Sequence, residues 1–149
     1  MNLQKVKVYH LFWITALIIL VIGISNPEST LDINIHDTYF IIAHFHVAVV
    51  FSLLFFLMGL GYWLVQKVLK KQLVKSLTLI HSLIVIGGFV FYWLLMLYIR
   101  LFPEDKHDPF PSDLYRVNVI IASEFLLIIC IGIPIYIINL LIGIFRKSK

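Results

Sequence analysis

Four apolar stretches punctuate this chain, and each runs for about the length that a helix needs to cross a bilayer, some 20 residues. They extend from about Val8 to Ser25, Thr38 to Val65, Leu77 to Leu101 and Val117 to Phe145. No soluble core of a 149-residue protein could bury so much apolar surface, and only 13% of the residues are charged where a soluble domain carries about 25%. In lipid every backbone polar group must be bonded internally. The chain is therefore expected to be an all-α membrane protein: one four-helix transmembrane domain spanning 1–149, in contact with the lipid bilayer. The second and fourth runs exceed the usual length, which predicts tilt or extension beyond the hydrocarbon.

The connecting segments predict an orientation. Lys5 and Lys7 precede the first run, and Lys67, Lys70, Lys71 and Lys75 lie between the second and third. Arg146, Lys147 and Lys149 follow the fourth. The segment between the first two runs carries Glu28, Asp32 and Asp37 and no lysine or arginine. The positive-inside rule then places both termini and the lysine loop in the cytoplasm, and the expected location is the inner membrane of a bacterium. The first run leads into Asn26-Pro27-Glu28 with no small-residue cleavage site, so it reads as a retained span. The net charge of +4 is spent on orientation and forms no basic stripe for nucleic acid. There is no Gly-rich phosphate loop, nucleophile elbow or pair of catalytic carboxylates, which excludes the common aqueous chemistries. Cys130, the sole cysteine, cannot form an internal disulfide and is expected to be a small core residue. Pro134 should kink the fourth helix or free a carbonyl. Gly87-Gly88 should leave a flat place where another backbone comes close.

Ionisable groups inside the apolar runs mark candidate sites. His44 and His46 stand one residue apart. On a helix, side chains two positions apart point roughly 200° from one another, so the two rings cannot share one metal but can each address a cofactor on opposite flanks. A helix entering at Thr38 would put them roughly 10–15 Å below the outer surface. Glu124, about two turns into the fourth run, is either a proton-accepting site or a neutral carboxyl bonded to Asn118, Ser123 or a neighbouring helix. His81 reads as a structural polar contact, and His10 and His107 as interface or loop residues.

The stretch from His36 to His46, HDTYFIIAHFH, closely resembles the helix-ten signature of subunit I of the heme–copper oxidases, the cytochrome c and quinol oxidases. The resemblance extends through Ser29–Ile33, Met58-Gly59, Tyr62-Trp63, Lys75–Ser82, Phe102-Pro103, Pro111–Tyr115 and Asn118, so nearly the whole chain resembles the C-terminal four-helix third of that subunit. It implies that His44 matches the ligand of the oxygen-binding heme and His46 a ligand of the low-spin heme. His36 and Asp37 match residues near heme propionates and a hydrated magnesium. The copper-ligating histidines, the second axial ligand and the proton-channel residues of the family lie on helices with no match here, and the propionate-binding arginine pair has no counterpart beyond Lys106 and His107.

The resemblance thus implies heme without copper, a role in respiratory electron transfer, and no oxygen reduction by this chain alone. A homo-oligomer or other respiratory membrane subunits are the implied partners, and either can supply a second axial ligand. Two alternatives stay open: a cofactor-free accessory or assembly protein of an oxidase, or a split subunit that completes an oxidase with another chain.

Overall fold

The computed structural model describes residues 7–25, 30–35, 38–101, 120 and 123–146. Four helices in it are long and apolar enough to cross a membrane, and the chain is an integral membrane protein. The helix α1 spans Val8–Ser25. Strands β1 (Thr30–Ile35) and β2 (Thr38–Ala43) follow, then helix α2 (His44–Trp63), which ends in a π turn, Leu64–Val68. Helix α3 spans Lys75–Leu101, and α4 spans Ser123–Phe145 with a π turn at Ile128–Gly132. The chain divides into two compact units, one of residues 1–72 with 146–149 and one of residues 73–145.

The sequence predicts that the second span begins at Thr38, and the structure corrects this. Thr38–Ala43 is a strand, paired antiparallel with Thr30–Ile35 in a register that opposes Ile35 to Thr38 and Thr30 to Ala43. The physical reason is local. Thr-Tyr-Phe-Ile-Ile is a run of β-branched and aromatic residues, which favour an extended chain. A short apolar run of this kind cannot be told from a helix segment by periodicity. The helix starts at His44 and its axis continues to Val68, so the span begins six residues later and ends three residues later than expected.

In the first unit, α1 packs on α2 through aromatic rings. Phe12 lies 5.9 Å from Phe55 and 5.6 Å from Tyr62, centroid to centroid. Trp13 stacks on Phe56 at 6.0 Å and meets Trp63 at 6.5 Å. The start of α1 thus meets the end of α2, and the helices run antiparallel. Gly59 makes this approach possible, because a Cβ there would fall 2.6 Å from Trp13 Cδ1 and Nε1. The α1 terminus is closed by His10, whose Nδ1 accepts the backbone N–H of Lys7 at 3.3 Å, while the His10 N–H bonds the Lys7 carbonyl at 3.0 Å. A ring nitrogen here does the work of the carboxylate in a capping box.

The other end of this unit's second helix closes differently. The Leu69 N–H reaches the Leu64 carbonyl at 2.9 Å and the Lys71 N–H reaches the Val65 carbonyl at 2.9 Å. Lys70 between them takes a left-handed φ of 53°. The pattern resembles a Schellman cap widened by one residue through the π turn. Holding a lysine rather than a glycine in that conformation costs about 1 kcal/mol.

In the second unit, α3 and α4 are antiparallel along one continuous seam. Thr78 meets Asn139, His81 stacks on Tyr136 at 5.0 Å, and Gly132 lies against Ile84 and Val85. Steps of three and four residues along α3 are matched by equal steps back along α4, the spacing of one helix face. Pro134 has no N–H for the Cys130 carbonyl and would crowd it. The backbone answers with the π turn, and the Ile133 N–H bonds the Ile128 carbonyl instead. Cys130 itself is exposed and faces away from the seam, which corrects the expectation of a core position.

Candidate functional site

The start of α2 carries the histidine pair. Because the strand ends at Ala43, His44 is the first helical residue and His46 lies in the same first turn. They stand in the first turn of the helix and not two turns inside it, because the helix starts at His44 and not at Thr38. No side chain caps this terminus, and Ala43 holds the extended N-cap conformation.

Helical spacing separates the two positions by roughly 200°, and the rest of the helix shows what each side meets. Ala48, Phe55, Met58 and Tyr62 are buried on the side that faces α1. Position 44 falls on that side. The opposite side carries His46, Val50, Leu53 and Leu57 at spacings of one, two and three turns, and all four are exposed. The His46 ring is exposed and lies edge-on to Phe45 at 5.8 Å. An imidazole therefore heads an apolar stripe with room beside it. His36 and Asp37, which link β1 to β2, lie outside the described residues, as do Lys106 and His107.

Two further buried polar groups of the spans sit in the second unit. His81 is fully buried beneath Tyr136. Asn139, which the sequence reading passed over, is also fully buried. Its Oδ1 accepts the Val74 N–H at 2.9 Å and its Nδ2 donates to Thr78 Oγ1 at 2.8 Å, while the Thr78 hydroxyl donates to the Val74 carbonyl at 2.9 Å. Val74 precedes the first residue of α3, so Asn139 caps that helix from the neighbouring one. An amide inside an apolar span was the signal that could have found it. Among the described residues no three His, Cys, Asp or Glu come together as a metal-binding group.

A heme needs an imidazole nitrogen that can reach iron and an apolar wall for the macrocycle. His46 and the stripe below it offer both, so the described residues fit one axial ligand of such a group. No solved structure matches the chain. The model of the family described as Cytochrome C and Quinol oxidase polypeptide I matches residues 3–103, a stretch that contains α1, the hairpin, all of α2 and all of α3. The chain belongs to the family of cytochrome c and quinol oxidase polypeptide I.

Proposed function

We propose that this membrane protein binds heme through His46 and serves respiratory electron transfer. The observation that carries the reading is the exposed imidazole at the head of the Val50–Leu53–Leu57 stripe, within the segment that matches the family. Heme supplies a one-electron iron couple. The chain supplies an axial nitrogen from His46 and an apolar bed that keeps water from the porphyrin face. Position 44, on the other side of α2, is the candidate for a second and separate iron. His36 and Asp37, the pair between the two hairpin strands in sequence, are the candidates for propionate or magnesium contacts.

His46 would hold the iron by one imidazole nitrogen, and a further ligand would come from another residue or another chain. A second copy of the chain related by a twofold axis can bring its own His46 to the same iron, and a further respiratory subunit can do so equally. The proposed metal centre is iron alone and involves no copper.

Purified protein reconstituted with heme in detergent tests the reading. A Soret band and a reduced α-band are expected, lost in His46→Ala and kept in His81→Ala, with helical content by circular dichroism unchanged in both. Protein that stays colourless with excess heme overturns the proposal in favour of a cofactor-free accessory role.

A further inference from the structure

The family match and the heme proposal leave one ionisable group without a task, and it lies in the seam of the second unit. Glu124 belongs to α4, inside an apolar span. Its carboxyl packs against Gly88 of α3, so closely that a Cβ on Gly88 would collide with Glu124 Oε1. Gly88 is the central residue of α3 (Lys75–Leu101), about 20 Å of helix rise from either end. Glu124 therefore stands opposite the middle of a membrane-spanning neighbour. Tyr92, one turn beyond Gly88 on the same side of α3, is within electrostatic reach of the carboxylate. Gly87, next in the chain, has nothing within 4 Å of its missing Cβ, so the notch belongs to Gly88 alone.

We propose that Glu124 is a proton-binding carboxyl in the interior of the membrane, seated in the notch that Gly88 leaves in α3. An acid in hydrocarbon must be paired, neutralised or used. A metal cation is a poor occupant, because calcium and magnesium demand six or more oxygen ligands, and the side chains described here offer one carboxyl and one phenol. A proton needs only the carboxyl. The titratable group that faces Glu124 from the packed helix is Tyr92, and no lysine, arginine or histidine of α3 lies within a turn of Gly88. The notch sets where the carboxyl stands: the half-buried Glu124 carboxyl rests against the glycine backbone, and a side chain at position 88 would displace it.

An apolar carbodiimide, N,N′-dicyclohexylcarbodiimide, probes the site in the full-length protein held in lipid nanodiscs. A protonated acid adds across one C=N bond of the reagent: the carboxyl proton passes to nitrogen and the carboxyl oxygen bonds the central carbon. The adduct rearranges to a stable N-acylurea with no leaving group and no change of oxidation state. Mass spectrometry is expected to find the adduct on Glu124 and to find labelling by a water-soluble carbodiimide at least tenfold slower. Glu124→Gln abolishes the adduct, and Gly88→Ala changes its rate several-fold while circular dichroism shows the helices intact. The infrared carbonyl band of a protonated acid is expected in the parent protein and absent from Glu124→Gln. The proposal is overturned if Glu124 stays unlabelled and that band is missing. It is equally overturned if both reagents label Glu124 at the same rate, because the carboxyl then faces water. None of these readouts depends on heme, so their failure is separable from failure of the His46 reading.

Discussion

Asn139 shows what one residue can hold. It has no charge and lies far along the sequence from its partners, yet it joins the last turns of α4 to the first turn of α3 through a closed set of bonds with Val74 and Thr78. Asn139→Leu leaves the part-buried Val74 N–H without its acceptor. That substitution is expected to cost about 1–3 kcal/mol, seen as a lower thermal midpoint in detergent. Thr78→Val, which spares the bond to the Val74 N–H, should cost about half as much. The histidines teach the complementary lesson. The pattern His-Phe-His announced a chemistry through its resemblance to a known signature, but the sequence could not say in which turn of the helix the pair stands. That place follows from a strand that ends at Ala43, and the strand depends on pairing with Thr30–Ile35, a partner that local periodicity does not reveal.

At the scale of elements, the four spans were legible because lipid imposes length and apolarity on each. What escaped was how helices bend and meet. The π turn before Ile133-Pro134 follows from the missing amide of Pro134, so a disturbance was foreseeable and its form was not. The paired glycines of α3 were visible as a flat place, but only the structure distinguishes Gly88, which receives a carboxyl, from Gly87, which meets open space. Gly59 of α2 is the counterpart in the first unit. Gly59→Ala drives a methyl into the Trp13 indole and is expected to lose about 1–3 kcal/mol through overpacking. Gly87→Ala, with no neighbour to meet, should be neutral or gain up to about 1 kcal/mol from helix propensity. Thermal melts of the two variants side by side check the contrast.

For the whole molecule, the charge pattern makes a prediction that the helix pairing sharpens. In the first unit, Trp13 of α1 meets Trp63 of α2, so the basic ends of both helices lie together and β1 lies toward the other end. With Cys130 replaced by serine, a cysteine at Lys71 is expected to react with an impermeant maleimide only from the cytoplasmic face, and one at Asp32 only from the opposite face. Labelling of both from one side would contradict the positive-inside assignment. The second unit carries a different kind of information in its seam. From Thr78–Asn139 through His81–Tyr136 to Val85–Gly132, α3 and α4 advance in matching steps, and this part of the seam acts like a pair of racks cut to one pitch. One residue inserted after Ser82 leaves the teeth at Thr78 and His81 engaged and turns every later tooth by about 100°. Anchoring and proton binding are thereby made separable along a single helix, with the length of chain between them acting as the setting.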